Sequence, residues 1–482
     1  MRYYGCFRSA NATRAQTLTG ETFLSLGGNA VSGRSVCSCG GIIALAEGEI
    51  RNRDARFASE GANSSAELVL RLYERWGADY VRRVEGPAVT AVMDRAEGRL
   101  ILSRDRAGAV PLYYAWRGRS VAFAGRAEYL LRAGAAERVV DADGLNALFC
   151  AAAPPAPGRT PFRDIRRLEP GGMLICDARG MRTRRYFALA PVETENAREE
   201  IARILAENMP PQGEDAVFDR ERFPLSGTAA RSRALRAESA WGEPEGFWDL
   251  LADSLLACGF PGDPAEGARI WRLCVSASDA RKCVVSDAGG ALLAHPPAYV
   301  PGASDAESGA YRFLKPALRE RLQPRKYAGN RLREILDRFP VCPDETTDER
   351  DARTNFQIAA SLLAPECGAR WTHMASRAGT RAYLPFLDER VLSRLWGMRP
   401  AERNALLSEL CAPSDAPLVP PHRVIREEAL RVAADPANPL CRFADIDAFE
   451  AEARRDFPDW EALLRLIQIN AWFLQTDAEE DL

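Results

Sequence analysis

Four short β-rich runs follow one another between Ala88 and Ala124, each closed by a turn. Ala88–Met93, Arg99–Ser103, Pro111–Trp116 and Ser120–Ala124 alternate, or concentrate β-branched and aromatic side chains. Between them stand Asp94-Arg-Ala-Glu-Gly98, Ala107-Gly108 and Arg117-Gly-Arg119, residues that accept turn conformations at little steric cost. Runs so closely spaced make a sheet built from hairpins. Another hairpin is expected from Gly171–Asp177 and Met181–Phe187, turned at Ala178-Arg-Gly180. Ala153-Pro-Pro-Ala-Pro-Gly158 breaks any helix running on from Asp143 and does not fit a sheet interior.

After a polar segment at Pro191–Ala197 the pattern changes period. Apolar positions recur at helical spacing in Ala197–Met209, Gly246–Cys258, Glu266–Ser278, Gly309–Leu322, Arg331–Phe339, Asn355–Leu363, Leu387–Gly397 and Trp460–Leu474. One buried strand, Lys282–Ser286, runs into Asp287-Ala-Gly-Gly290, and a strand that ends on a Gly-rich turn before a helix is how open α/β sheets place a ligand crevice. Residues 210–245 give the least structured reading. The division expected is a domain at 1–190 and a second at 195–482, and 482 residues suffice for two cores.

Composition excludes more than it assigns. The 64 basic and 67 acidic residues nearly cancel, which argues against nucleic acid or an anionic membrane as main partner. Lysine occurs only at Lys282, Lys315 and Lys326, so nearly all the positive charge is arginine, as expected of biased codon usage, and runs of arginine carry no functional weight here. No apolar run approaches the ~20 residues that span a bilayer, and the start lacks a secretory apolar stretch, so a cytoplasmic location is expected. The 12 cysteines are scattered and read as buried thiols, and the three histidines, His295, His373 and His422, lack a second ligand at metal-binding spacing.

The wording Arg104-Asp-Arg-x-Gly-x-x-Pro-Leu-Tyr-Tyr114, followed by Phe123-Ala and Arg126-Ala-Glu-Tyr-Leu-Leu131, resembles the glutaminase-type amino-terminal domain of asparagine synthetases. Thr160–Ile175, the Gly-Gly turn at Gly289 and Leu384–Trp396 recur in that family's order, so the resemblance spans nearly the whole chain. It implies an α/β (α+β) protein: an amino-terminal-nucleophile type β-rich sandwich, then a mainly helical synthetase-like domain with a reduced parallel sheet.

The residues that carry the family's chemistry depart from its pattern. A family glutaminase uses an amino-terminal Cys, and Arg2 stands here, with Cys6 read as a residue of the first strand. The Asn of the oxyanion hole corresponds to Glu47, before Gly48, and a carboxylate cannot donate to an oxyanion. The Asp that holds the glutamine amine corresponds to Ser65. The pyrophosphate loop Ser-Gly-Gly-x-Asp-Ser finds its best match in Leu225–Ser232, which keeps Ser226, Gly227 and Ser232 but has Thr228, Ala230 and Arg231 in place of Gly, Asp and Ser. The charged stretch Val217–Phe223 is a poor candidate for the strand expected before it. The second nucleotide turn is similar to Ser286-Asp287-Ala-Gly289-Gly290, but its acidic pair is replaced by Ala291 and Leu292, which offer magnesium no oxygen. No lysine stands in the Glu402–Glu409 stretch, where the family has one for the leaving group; Arg403 or Arg423 could supply charge.

The resulting expectation is a protein without catalytic residues, cofactor or metal. It would work by binding a protein partner: an active relative, a substrate peptide, or itself as a homodimer. The alternative is a divergent ATP- and Mg-dependent amide ligase acting on a peptide or amine, similar to lasso-peptide cyclases.

Overall fold

The computed structural model describes residues 4–8, 22–26, 29–33, 35–51, 62, 64–118, 120–149, 156–211, 214–218, 246–294, 296, 309–339, 345–411 and 422–481. Thirteen strands precede residue 190: β1 Tyr4–Arg8, β2 Thr22–Leu26, β3 Asn29–Gly33, β4 Val36–Cys39, β5 Ile42–Gly48, β6 Ala88–Asp94, β7 Arg99–Arg104, β8 Tyr113–Arg117, β9 Ser120–Ala124, β10 Val139–Asp141, β11 Ile165–Arg167, β12 Gly172–Asp177 and β13 Gly180–Arg185. Twelve of them form two six-stranded antiparallel sheets, ordered β11-β8-β9-β1-β3-β2 and β13-β12-β7-β6-β5-β4.

The side-chain period of two explains how these sheets stack. Ile43, Leu45, Val89, Ala91, Met93, Leu100, Leu102 and Leu174 of one sheet meet Val121 and Phe123 of the other in a common core. The alternate residues Ala44, Ala46, Val92, Ile101, Met173 and Ile175 face outward onto the helix Ser65–Trp76 and the turn that follows it. On the second sheet, Tyr113, Ala115, Ala122 and Ala124 face a larger core that includes Tyr311, Ile425, Phe443, Leu466 and Trp472 from the carboxyl-terminal half. One outer layer of the sandwich is thus supplied by the second half of the chain.

That half is mainly helical around three short parallel strands, β14 Ala216–Phe218, β15 Cys283–Val285 and β16 Ala382–Tyr383, in the order β14-β15-β16. Val217 and Val284 pack on Ile270, Cys274, Trp371 and Met374. Cys283, Val285 and Tyr383 face the opposite side. β14 overlaps the start of the Val217–Phe223 stretch read from sequence as a poor strand candidate: Ala216-Val-Phe218 ends before the charged residues and buries only Val217 fully. Helix bounds follow local chemistry. Asp263 caps Pro264–Asp279 with Pro264 in its first turn, and Thr346 and Glu349 form a capping box on Thr347–Ile358. The helix expected over Gly309–Leu322 is divided, a 3-10 turn at Gly309–Phe313 and a helix restarting at Pro316.

The halves are tied in several places. His373 places its ring nitrogens 2.9 Å from the Gly125 carbonyl and 3.1 Å from that of Cys258, Thr372 donates to the Ala109 carbonyl at 2.9 Å, and Arg167 forms a two-pronged ion pair with Glu366. A final strand, β17 Glu479–Asp481, pairs in parallel with β10.

Candidate ligand-binding site

A cavity of about 480 Å³ opens where β5 ends, between the sandwich and the β16 side of the parallel sheet. Glu47, Gly48 and Ser65 line it from the amino-terminal half, so the structure brings together these three positions. Gly48 is required by the backbone: its φ is +103°, and a Cβ there would run into the Pro87 carbonyl oxygen. Past it the chain stays paired to Glu85–Pro87, Glu49 N–H donating to Pro87 O at 3.0 Å and Arg51 N–H to Glu85 O at 2.8 Å. Ser64 caps the helix that begins at Ser65. Arg2, Ser226, Gly227 and Ser232 lie outside the described residues.

The opposite wall is built by the start of the helix Glu389–Gly397. Asp388 caps it, accepting from the Arg390 N–H at 2.9 Å, and its carboxylate also takes Arg390 Nε at 2.9 Å, Arg390 Nη2 at 2.6 Å and Asn208 Nδ2 at 2.9 Å. Burial works against its charge, but these bonds hold its carboxyl below the usual carboxylate range. Arg51 donates to Asn208 Oδ1 and lies 3.8 Å from Asp388, tying the end of β5 to this network. Burial, reinforced by the Asp388 charge, pushes neighbouring Glu389 up, with Arg106 at 3.2 Å opposing. Asp105 is pushed up to about 6 by burial, although it accepts from Ala109 N–H at 2.8 Å and Val110 N–H at 2.9 Å. The charged lining is therefore Glu47, Glu49, Asp105, Asp388 and Glu389 against Arg51 and Arg381, with Arg390 and Arg106 pairing Asp388 and Glu389 from outside it.

The other predicted site residues form a separate, closed feature. Ser286, Asp287, Gly289 and Gly290 follow β15, and all are buried. Ser286 N–H donates to Tyr383 O at 3.0 Å, Ser286 Oγ accepts from Ala288 N–H at 3.1 Å, and Gly290 N–H donates to Asp287 O at 2.7 Å. A Cβ on Gly289, whose φ is +91°, would sit 3.0 Å from Leu387 Cδ2 and 3.6 Å from Ala364 Cβ. One on Gly290 would clash with Cys411 Sγ and lie 3.3 Å from the Phe386 ring. Leu387, Ala364, Phe386 and Cys411 thus leave no room for a side chain at either glycine. Leu387 touches this turn and also lines the cavity, so it stands between the two.

Asp388 lies in the Leu384–Trp396 stretch but was not singled out from sequence, although an acidic residue opening a helical run is a capping signal. Arg403 is 3% exposed, lies 4.2 Å above the Phe356 ring and has no ion pair or side-chain hydrogen bond among the described residues. Burial alone pushes its guanidinium down to about 10. Among the described residues no group of three or more His, Cys, Asp or Glu is arranged to hold a metal ion. His373 is a buried link between the halves, and burial drives it down to about 3.

Residues 46–187 match the glutamine amidotransferase domain family. The chain is 25% identical over 233 residues to the proposed asparagine synthetase (glutamine-hydrolysing) 2 of Methanocaldococcus jannaschii, covering 46% of this chain and 44% of that one. It thus spans less than half the length of that relative. Among solved structures, the glutamine phosphoribosylpyrophosphate amidotransferase from B. subtilis and a structure described as the allosteric regulatory enzyme of purine biosynthesis each share 15% identity. Each alignment covers 40% of this chain and 46% of the other at a TM-score of 0.25, too low to carry an argument. By its sequence relationships this is an asparagine-synthetase-like protein with a glutamine-amidotransferase-type amino-terminal half, joined to a mainly helical one.

Proposed function

We propose that this protein works by binding rather than by glutamine hydrolysis or adenylation, and that the cavity between its halves receives the amine-bearing end of an amino acid or peptide. Its role is that of a partner subunit in an amide-forming or peptide-modifying pathway, alongside an active relative, a second copy, or the substrate peptide. The reading rests on one contrast: an open cavity whose charged lining is mainly carboxylate beside a Gly-Gly turn packed against Leu387, Phe386 and Cys411. Glu47 in that cavity opposes, rather than stabilises, a developing oxyanion. No helix among the described residues is long and apolar enough to cross a membrane.

Calorimetric titration with glycinamide and with N-acetylglycinamide tests the amine. The free amine should bind and its acetylated form should not, with Glu389→Gln weakening the first. Equal binding of both, or ammonia release from glutamine by the purified chain, contradicts the proposal.

A second reading, a divergent ATP- and Mg-dependent amide ligase, is favoured by Arg403 alone. A buried guanidinium without a counter-charge costs free energy that an anionic group would recover.

A further inference from the structure

We propose that a depression of about 280 Å³, where the open edges of the two sandwich sheets meet, is a binding site for a phosphate group, independent of the cavity between the halves. β11 is the edge of one sheet and β13 the edge of the other. Arg166 on β11 is in register with Tyr114 on β8, and on its other side the Arg159 backbone forms an antiparallel bridge to it. Cross-strand partners share a face, so two guanidinium groups and a phenol stand side by side, an arrangement in which like charges repel. Arg184 and Arg185 of β13 complete the basic wall; Arg167 also lines it but is spent on Glu366, and Glu169 is the one carboxylate in the lining.

Arginine-rich composition does not account for this row. Elsewhere arginines are commonly matched to acids at close range: Arg182 with Asp177 at 2.8 Å, Arg198 with Glu409 at 2.7 Å, Arg331 with Glu334 at 2.8 Å. Arg166 has no carboxylate partner among the described residues and donates only to the carbonyls of Arg163 at 2.6 Å and Ile165 at 3.4 Å. Burial, and then the Arg159 charge, push its guanidinium down. Arg159 reaches acids only at 3.6 and 4.0 Å, and Arg184 only at 3.7 Å. Glu169 is already engaged by Arg185 at 2.8 Å and Arg338 at 3.1 Å. The hydroxyls of Tyr114 and Thr183, also in the lining, make no hydrogen bond among the described residues.

The pocket therefore offers donors from several directions and hardly any free acceptor. A planar carboxylate satisfies one fork. A tetrahedral dianion presents three oxygens and meets arginines from both sheet edges, with bidentate, charge-assisted bonds. The phosphate is either free inorganic phosphate or the monoester end of a small molecule.

The test is calorimetric titration of the full chain at low salt with inorganic phosphate, ribose 5-phosphate and acetate, in wild type, Arg166→Gln and Arg431→Gln. Arg431 is an exposed, paired arginine outside the pocket and serves as the control. Wild type and Arg431→Gln should bind phosphate saturably, and Arg166→Gln about tenfold or more weakly, the loss of one charge-assisted contact. Tighter ribose 5-phosphate binding identifies a monoester, and equal binding identifies free phosphate. Thermal melts establish that Arg166→Gln is folded. The proposal is overturned by no saturable heat at tens of millimolar phosphate, by equal affinity in wild type and Arg166→Gln, or by acetate binding as tightly as phosphate.

Discussion

The end of β5 and the turn after β15 both keep glycines, and the two regions keep them for different reasons. At Gly48 the obstacle to a side chain is backbone, the Pro87 carbonyl, and the turn opens into a chamber lined by ionisable groups. At Gly289 and Gly290 the obstacles are side chains, Leu387, Phe386 and Cys411, and the turn is packed among them. A Gly-rich turn is therefore not evidence of a phosphate site in itself. What fills the space beside it decides.

Substitutions can break this comparison. The largest effect is expected at Leu387, buried between the two regions: Leu387→Ala should cost about 3 kcal/mol in denaturant unfolding and join the cavity to the turn. Gly48→Ala should cost about 2–3 kcal/mol, because both the positive φ and the backbone clash persist whatever neighbour is trimmed. Gly290→Ala should cost about 1–2 kcal/mol, and most of that should return in the double variant with Cys411→Ala. Equal responses to trimming at the two glycines would dissolve the distinction.

A smaller effect depends on pH. The His373 pKa falls from 6.5 to about 3 on folding, so between these values the unfolded chain binds more protons. The stability linked to His373 is fully present above about 6.5 and declines as pH falls towards 3. After burial, the Arg126 charge also disfavours the imidazolium. Unfolding midpoints measured from pH 7 to 5 should fall less steeply in His373→Phe than in wild type. The smallest change is expected for Glu47→Asn, which places an amide where the family resemblance implies the oxyanion hole. It should leave ammonia release from glutamine at background, since Ser65 still provides no charge for the glutamine amine.

The sandwich was legible because its strands are separated by residues that can only turn, and because each buried face repeats every second residue. Helix starts were read late, at Glu266 and Asn355, because the apolar period alone was used; the caps at Asp263-Pro264 and Thr346-x-x-Glu349 mark the true starts locally. The parallel sheet was not fully so. β16 has two residues and β14 three, too few for a period, and the charged residues after Phe218 obscured the latter. The cavity was legible only as separate changed positions. Glu47 and Asp388 are 341 positions apart and meet through packing of the two halves, which no local pattern records. Arg403 was named from sequence only alongside Arg423, and only its burial sets it apart from the other arginines.

The central proposal, that this protein binds no nucleotide at the Gly-Gly turn, is tested most directly by calorimetric titration of Mg·ATP into the full chain and into Arg403→Gln. The account predicts no saturable heat from either protein at millimolar nucleotide. Micromolar binding to the wild type that Arg403→Gln weakens would contradict it and establish the ligase reading in its place.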